Sequence, residues 1–251
     1  MAPSTVVAIL QARMWSSRLP GKVLRRLGGV SVLAQVIGRV KSCPGIDAIV
    51  VATTRNPADD AIEREAAAQG VAVFRGDEED VLRRYHDAAR QHGAATVIRV
   101  TADCPLLDSG LLSRMLRRFL AAAGGPDRLD YLSNTLQRSF PRGLDVEIFT
   151  FGALESAQRD ATESHQREHV TPFIWEQPGR FAIGQYREDP DRSRLRWTLD
   201  TESDWEFLCA AFGELGRRGL AATTGNVLQL IEEQPGLAQI NAGVEQKPLR
   251  S

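Results

Sequence analysis

The sequence predicts an α/β protein in which a mostly parallel sheet with a mixed edge lies between two layers of helices, a three-layer α/β/α arrangement. Two observations support this class. Over the first half of the chain, short continuous apolar segments alternate four times with amphipathic segments of helical period, a pattern typical of parallel strands joined by right-handed crossovers. After Gly124-Gly125-Pro126 the apolar segments become shorter and less regular, which predicts the mixed edge.

The first half contains four predicted pairs of strand and helix. Apolar residues rich in Val and Ile predict the strands, and an apolar period near 3.6 predicts the helices. Asn56-Pro57 marks a helix start, Gly70 marks a helix end, and Asp108 is a natural N-cap. The predicted strands are residues 5–12, 47–53, 71–74 and 96–101, and the predicted helices are residues 30–40, 59–69, 78–93 and 108–124.

The second half is less regular but shows no sign of a separate domain. No linker rich in Ser, Pro or Gly and no internal repeat separates the halves, so we expect one domain over residues 1–243. Residues 244–251 are predicted to form a loosely ordered tail. The predicted strands are residues 131–134, 144–149, 181–186 and 194–199, and the predicted helices are roughly residues 150–161, 164–177, 202–216 and 225–233.

Composition excludes several classes of protein. The chain has 251 residues, of which 43% are hydrophobic and 25% charged, so it can bury a core and is neither disordered nor collagen-like. Its three cysteines include no CxxC pair, which argues against structural zinc and a disulfide framework. No apolar stretch reaches the roughly 18 to 20 residues that a bilayer needs, and the start of the chain does not resemble a cleavable leader. We therefore expect a cytoplasmic protein without a membrane partner.

Charge is unevenly distributed along the chain. The first 46 residues contain seven basic residues and no Asp or Glu, whereas the net charge of the whole chain is −1, which leaves −8 for the remainder. A nucleic-acid-binding protein is more often basic over a whole domain or face, so we expect no nucleic-acid partner. The pattern indicates a local anion site, and a solvated basic surface is the alternative.

A basic loop, residues 11–24, follows the first predicted strand at its carboxyl end, where open α/β sheets bind their ligands. Its cations, hydroxyls and glycine suit a polyphosphate, and we call it the phosphate loop. It matches neither a Walker A motif nor a GxGxxG fingerprint. The alternative is a basic surface loop with a turn at Pro20-Gly21. The residues concerned are Arg13, Ser16, Ser17, Arg18, Gly21 and Lys22.

Two aspartates follow predicted strands and are expected at the same edge of the sheet. Asp103 comes after the fourth strand, and Asp200 follows the strand predicted at residues 194–199. Mg²⁺ takes one or two protein carboxylates and completes its coordination with phosphate oxygens and water, so this pair predicts a Mg²⁺ site. The alternative for Asp103 is a turn residue. Asp204 is a further metal candidate, but with Thr201 it resembles a capping box.

Other polar residues suit a small-molecule pocket. Asp145 and Glu147 alternate on one face of a predicted strand and can accept hydrogen bonds from sugar hydroxyls, unless they form a solvent-facing polar stripe. His169 lies on a predicted helix whose histidine spacing reproduces no zinc motif, so it is either a substrate contact or part of a structural helix. Arg75 and Gly76 end the third strand and are placed to touch a nucleotide.

Six segments occur in the order found in one family. The chain resembles the cytidylyltransferase family of the spore-coat polysaccharide biosynthesis type. Its first segment is similar to the phosphate-binding loop of the CMP-sugar synthetases for 3-deoxy-manno-octulosonate and acylneuraminate. The resemblance covers about residues 5–210. The segments are ILQARMWSSRLPGKVL (9–24), FRGDEEDVLRRY (74–85), VIRVTADCPLLD (97–108), FPRGLDVEIF (140–149), REHVTPFI (167–174) and RLRWTLDTESDW (194–205).

The resemblance implies a Rossmann-like nucleotidyltransferase fold and a homodimer. It implies transfer of CMP from CTP to a sugar, sugar phosphate or phosphonate acceptor, with Mg²⁺ and release of pyrophosphate, in polysaccharide or glycoconjugate precursor biosynthesis. Residues 1–123 would then be the nucleotide-binding half, and residues 124–243 the acceptor-binding and dimerisation half. Two alternatives remain. One is a sugar-1-phosphate nucleotidylyltransferase that uses another nucleotide, although the GxGTRL signature usual in those enzymes is missing here. The other is a non-catalytic nucleotide-binding subunit.

The resemblance also implies roles for individual residues. One position departs from the family pattern, because Trp15 is bulky where small or polar residues are usual, and its indole would shape the acceptor pocket. The implied triphosphate ligands are Arg13, Arg18 and Lys22, and the implied metal ligands are Asp103 and Asp200. The implied catalytic residues are Arg13, Lys22 and Asp103. The implied contacts to the base and ribose are Leu10, Ala12, Arg75 and Arg99.

Overall fold

The structure is a computed structural model that describes residues 5–177 and 179–249. Its strands in chain order are β1 (Val6–Gln11), β2 (Arg26–Leu27), β3 (Val30–Ser31), β4 (Ala48–Thr54), β5 (Ala72–Gly76), β6 (Thr96–Thr101), β7 (Tyr131–Ser133), β8 (Glu147–Thr150) and β9 (Ile183–Gln185). Seven of them form one sheet in the order β5-β4-β1-β6-β8-β7-β9. Strands β5, β4, β1 and β6 are parallel, and β8 runs antiparallel between β6 and β7. The predicted mostly parallel sheet with a mixed edge is confirmed.

Helices connect and cover these strands. The cap predicted at Asp108 is confirmed, since its carboxylate accepts a hydrogen bond from the Leu111 N–H at 2.7 Å, a contact that stabilises a helix by about 1 kcal/mol. None of the helices in the described residues is long and apolar enough to cross a bilayer. The helices are α1 (Val32–Lys41), α2 (Asp60–Ala68), α3 (Val81–Gln91), α4 (Ser109–Ala122), α5 (Phe151–Asp160), α6 (Ser164–His169), α7 (Pro172–Trp175), α8 (Glu202–Arg217), α9 (Thr224–Glu233) and α10 (Gly236–Gln239).

Apolar side chains fill the space on both faces of the sheet. Because successive strand residues point to opposite faces, Ala8 and Leu10 of β1 belong to one core, and Val7 and Ile9 belong to the other. The first core includes buried residues of α1, α2, α4, α8 and α9, and the second includes those of α3, α5 and α7. The three-layer α/β/α arrangement is therefore confirmed.

Four predicted elements differ from the structure. The strand predicted at 144–149 begins only at Glu147, so Asp145 precedes β8 and the two residues do not alternate on one strand face. The helix predicted at 30–40 begins at Val32, because Val30–Ser31 forms strand β3 and Ser31 caps the helix. The helix predicted at 164–177 is divided into α6 and α7, because Val170 has a φ of 73° and the residue before Pro172 is disfavoured from helical conformation. The strand predicted at 194–199 is wrong, since only one isolated bridge, between Arg142 and Arg196, forms there.

A glycine controls how closely residues 194–199 approach the carboxyl edge of the sheet. Gly143 has a φ of +107°, and a Cβ at this position would lie 2.6 Å from the backbone nitrogen of Thr198 and 2.6 Å from the carbonyl carbon of Trp197. Atoms that are not bonded to one another do not approach so closely. Only glycine therefore allows residues 142–145 to lie against residues 196–200, and both segments contribute side chains to the site.

Candidate active site

A cavity of about 490 Å³ opens beside the carboxyl ends of β1 and β6. The phosphate loop forms one wall, and the segments after β6, before β8 and before α8 form the others. Four separate segments of the chain thus meet at the edge of the sheet where open α/β folds bind ligands. Twelve of the residues singled out in the sequence line the cavity, namely Ala12, Arg13, Trp15, Ser16, Ser17, Arg18, Lys22, Arg99, Asp103, Asp145, His169 and Asp200.

Lys22, Asp103 and Asp200 form an ion cluster in the cavity, which we call the open cluster. The Lys22 Nζ donates to Asp103 Oδ2 at 2.6 Å and to Asp200 Oδ1 at 2.8 Å. Burial alone would lower the pKa of Lys22, but the two carboxylates outweigh it and the pKa is raised. Burial favours neutral Asp103, yet Lys22 outweighs that effect and holds the pKa of this carboxyl below its ordinary value. Lys22 and Asp103 are therefore both charged at neutral pH.

The donor set of the open cluster fits Mg²⁺. Two carboxylate oxygens converge on one cationic group, Lys22 Nζ, so both can face a single positive centre. Mg²⁺ is commonly held by only one or two carboxylates, with phosphate oxygens and water as its other ligands. Within residues 5–177 and 179–249 there is no group of three or more His, Cys, Asp or Glu that could hold a metal by itself. Asp103 and Asp200 thus suit an ion that arrives with a polyphosphate.

Asp204 lies four residues beyond Asp200 and belongs to a second group, the sealed cluster of Arg196, Asp204 and Asn241. Its carboxylate accepts hydrogen bonds from Arg196 Nε at 2.8 Å and from Asn241 Nδ2 at 2.9 Å. It also accepts the N–H of Thr201 at 3.0 Å, and the two residues form the predicted capping box of α8. The Asp204 side chain has no solvent exposure, so it is a structural residue and not a metal ligand.

Several cations in the cavity form no ion pair. Lys22 belongs to the open cluster, and Arg18 contacts that cluster through Asp200 at 3.2 Å. By contrast, Arg13, Arg142 and Lys247 form no ion pair with any residue that the structure describes. Cations without a carboxylate partner can bind an anionic ligand without first breaking an ion pair. The cavity therefore has free positive charge suited to a polyphosphate.

Comparison with known proteins places this site in a family. The family model described as "Cytidylyltransferase" matches residues 7–234. The chain belongs to the cytidylyltransferase family. The spore coat polysaccharide biosynthesis protein SpsF of Bacillus subtilis is 33% identical to it over 93% of this chain and 96% of that protein. The chain is therefore a nucleotidyltransferase of the class EC 2.7.7, which confirms the resemblance derived from the six segments.

Solved structures support the same conclusion for the fold. A cytidylyltransferase from Leptospira borgpetersenii superposes with a TM-score of 0.88 at 34% identity, covering 97% of this chain and 99% of that one. A CMP:2-keto-3-deoxy-manno-octonic acid synthetase complexed with CTP superposes with a TM-score of 0.65 at 19% identity, covering 84% of this chain and 99% of that one. The Rossmann-like nucleotidyltransferase fold is confirmed.

Some residues singled out for nucleotide binding lie outside the cavity of this cytidylyltransferase. The Leu10 side chain is fully buried in the core. Arg75 lies on β5 at the edge of the sheet, where its guanidinium contacts Asp60 at 2.6 Å and Glu63 at 2.9 Å. Gly76 packs against Arg84 and Phe74 and does not line the cavity. Ala12 and Arg99, in contrast, do line it.

Glu147 lies behind the cavity wall of the cytidylyltransferase and holds Arg99. Its carboxylate pairs with the Arg99 guanidinium and accepts hydrogen bonds from Tyr131 Oη at 2.6 Å and Thr171 Oγ1 at 2.5 Å. Burial alone would lower the pKa of Arg99, but Glu147 outweighs it and the pKa is raised. The structure therefore connects Glu147 to the cavity through Arg99 and not by direct lining.

Asp145 and His169 also line the cavity. Asp145 Oδ2 accepts a hydrogen bond from Arg138 at 2.9 Å, which fixes the position of the carboxylate. The Asp145 side chain still lines the cavity. The imidazole of His169 forms no hydrogen bond with a residue that the structure describes, and burial lowers its pKa. His169 is therefore neutral at pH 7 and offers one donor and one acceptor.

Sequence reasoning missed several residues that line the cavity. Arg142 follows the turn-forming Pro141, and its only signal was a cation beside the Gly143 turn. Cys104 also faces the cavity, but burial raises the pKa of its thiol well above the ordinary value, so it is not a thiolate nucleophile. Gln246 and Lys247 came from a segment predicted as a loose tail, and no local pattern marked them.

Proposed function

We propose that this cytidylyltransferase transfers CMP from CTP to a sugar or sugar-like acceptor and releases pyrophosphate, in polysaccharide or glycoconjugate precursor biosynthesis. The observation that carries the proposal is the meeting of phosphate-loop cations with the open cluster at one edge of the sheet. The polysaccharide role is supported by the similarity to the spore coat polysaccharide biosynthesis protein SpsF.

The reaction in this proposal is an in-line displacement at phosphorus. An oxygen of the acceptor forms a bond to the α-phosphorus of CTP, while the bond from that phosphorus to the oxygen shared with the β-phosphate breaks. The electron pair leaves with pyrophosphate, whose growing negative charge Arg13 and Arg18 stabilise from the phosphate loop. Both are lining residues, and Arg13 carries no counter-ion within the described part of the chain. No covalent enzyme intermediate is required.

Lys22 has a positioning role in this scheme, besides adding positive charge near the phosphates. Its Nζ lies 2.6 Å from Asp103 Oδ2 and 2.8 Å from Asp200 Oδ1 and so keeps the two carboxylates side by side. These two carboxylates would hold Mg²⁺, which when bound supplies positive charge to phosphate oxygens. Arg196 donates to the second oxygen of Asp200 at 2.9 Å and thereby sets the orientation of that carboxylate.

The part of the cavity that Asp145 and His169 line is proposed to bind the acceptor. Asp145 can accept hydrogen bonds from its hydroxyls, and His169 can donate or accept one. Glu147 contributes through Arg99, which it holds in place. These groups suit a polar, hydroxyl-bearing molecule, and a sugar, a sugar phosphate or a phosphonate each meets that description.

A second copy of the chain is proposed as a partner, since the family resemblance implies a homodimer. The mass in solution tests this directly. Light scattering on a sizing column is expected to give twice the chain mass at micromolar concentration, and the mass of a single chain would refute the dimer.

Release of pyrophosphate tests the proposed reaction. The purified protein with Mg²⁺ is offered CTP, ATP, GTP or UTP against a panel of 2-keto-3-deoxy sugars, sugar phosphates and phosphonates. We expect release with CTP and one acceptor class, because buried groups left unpaired by a wrong base make discrimination large. Preference for another nucleotide would instead indicate a sugar-1-phosphate nucleotidylyltransferase, and CTP binding without turnover would indicate a non-catalytic subunit.

A further inference from the structure

The chain continues beyond the part that the family model matches and returns to the active site. The match ends at residue 234, and residues 244–249, which we call the C-terminal strap, reach the cavity with Gln246, Lys247, Pro248 and Leu249 in its lining. The strap and the phosphate-loop residues Trp15, Ser16 and Ser17 line the same cavity.

Arg196 holds both the strap and Asn241, which lies just before it. The Asn241 side chain, which is 3% exposed, donates to the Arg196 carbonyl oxygen at 3.0 Å and to Asp204 at 2.9 Å. Further along, the side-chain oxygen of Gln246 accepts a hydrogen bond from Arg196 Nη1 at 3.0 Å. Because the same arginine also bonds to Asp200 at 2.9 Å, the strap and the open cluster are positioned by one side chain.

These anchors place the ammonium group of Lys247 against the phosphate loop. Its Nζ donates to Ser17 Oγ at 3.2 Å, and it forms no ion pair with any described residue. A serine hydroxyl does not neutralise a positive charge. An ammonium group has three donors, so at least two of them stay available for another acceptor beside the loop residues proposed to bind the triphosphate.

We propose that Lys247 is a further nucleotide-binding residue, which the C-terminal strap brings to the phosphates of CTP. The proposal rests on the proposed function, since it takes CTP as the ligand of the phosphate loop. An exposed cation on a flexible stem contributes modestly, and the expected loss of affinity without it is about 3- to 10-fold. The base and ribose would be bound as before, because no strap residue is assigned to them.

Calorimetric titration of CTP and of cytidine into the full-length protein tests the proposal. Lys247→Ala is expected to weaken CTP about 3- to 10-fold and to leave cytidine unchanged, Lys247→Glu to weaken CTP further, and Lys247→Arg to restore it. Lys41→Ala is the matched control, because Lys41 is also exposed and does not line the cavity. It is expected to bind both ligands like the unmodified protein.

Arg13→Ala in the same series separates this proposal from the proposed function. Weaker CTP binding by Arg13→Ala, with Lys247→Ala unchanged, would overturn the role of Lys247 and leave the function standing. Equal weakening of CTP and cytidine by Lys247→Ala would also overturn it, because the lysine would then act on the shape of the site. If the unmodified protein binds another nucleotide and not CTP, the proposed function fails first.

Discussion

The open cluster and the sealed cluster contain the same kinds of groups and serve different purposes. In each, aspartate carboxylates face a cation, and Asp200 and Asp204 are only four residues apart. In the sealed cluster the Asp204 side chain is 0% exposed, and its two oxygens accept bonds from Arg196, Asn241 and two backbone N–H groups. In the open cluster the Asp103 side chain is 21% exposed, and Lys22 is its ion-pair partner. Remaining hydrogen-bonding capacity, more than charge, therefore distinguishes a group that binds a ligand from one that holds the fold.

The largest expected effect comes from removing the centre of the sealed cluster. Asp204→Ala leaves Arg196 without its main partner and two backbone N–H groups without an acceptor. Breaking a buried ion pair costs about 3 to 5 kcal/mol of unfolding free energy. Urea unfolding followed by circular dichroism measures this loss, and Asp204→Asn provides a milder variant that remains measurable if the alanine variant does not fold.

Glu202→Ala is the control for that measurement, because Glu202 lies in the same helical turn and pairs with Arg25 while 59% of its side chain is exposed. An exposed pair contributes less than about 1 kcal/mol. If both variants lose the same small amount, the distinction between sealed and open clusters is wrong.

The second effect concerns turnover in the open cluster. Asp103→Asn and Asp200→Asn are each expected to slow pyrophosphate release by about 10²- to 10³-fold, as when one charge-stabilising group is lost. The double variant should be little slower than either single one, because ligands of one ion act as a unit. Unfolding free energies should fall by less than the about 3 to 5 kcal/mol expected for Asp204→Ala, since 21% of the Asp103 side chain and 16% of the Asp200 side chain remain exposed.

A different outcome would redefine the cluster. If Asp200→Asn keeps near-normal Mg²⁺-dependent turnover and Asp103→Asn does not, the two carboxylates do not share an ion. Asp200 would then serve to connect Arg196 with Lys22. CTP binding measured without metal should persist in both variants through Arg13 and Arg18, and its loss would show that the substitutions damage the whole site.

The smallest effect is expected at His169, which lies in the cavity and forms no ion pair or side-chain hydrogen bond with a residue that the structure describes. Burial lowers its pKa from the ordinary 6.5, so the folded protein binds this proton less readily than the unfolded chain. Stability from this residue is present above pH 6.5 and is lost as the pH falls below it. The unfolding free energy of the unmodified protein is expected to be lower at pH 5 than at pH 7.5, in part because of His169. In His169→Gln this difference between the two pH values should be smaller, by less than about 1 kcal/mol. An unchanged difference would show that His169 titrates alike in both states.

The sequence predicted well those features that depend on short-range patterns. Alternating apolar and amphipathic segments identified β1, β4, β5 and β6, and parallel strands bring their carboxyl ends to one edge, so the phosphate loop and Asp103 were expected together. The cap at Asp108 and the capping box of α8 are also local, since each depends on residues three positions apart.

The details that short-range patterns do not specify depend on distant parts of the chain. The phosphate loop, Asp103 and Asp200 were expected at one edge of the sheet, but no periodicity predicts the direct ion pairs of Lys22 with Asp103, 81 positions away, and with Asp200, 178 positions away. The segment 194–199 has the apolar content of a strand, but the approach of residues 142–145 directs it past the sheet edge instead. Residues 244–251 were predicted as a loosely ordered tail, and the place of Gln246 in the cavity wall depends on a hydrogen bond from Arg196, 50 positions away.

Gly143 makes the cavity sensitive to a change that alters none of its chemical groups. Any other amino acid brings a Cβ into the backbone of Trp197 and Thr198, so the segment that ends at Asp200 must shift away from the one that ends at Asp145. In a random mutagenesis screen, a substitution of Gly143 would therefore be found inactive, although every side chain that takes part in the reaction is unchanged. Such a substitution reports on the shape of the pocket, and a folding assay beside the screen is needed to separate it from the loss of a catalytic group.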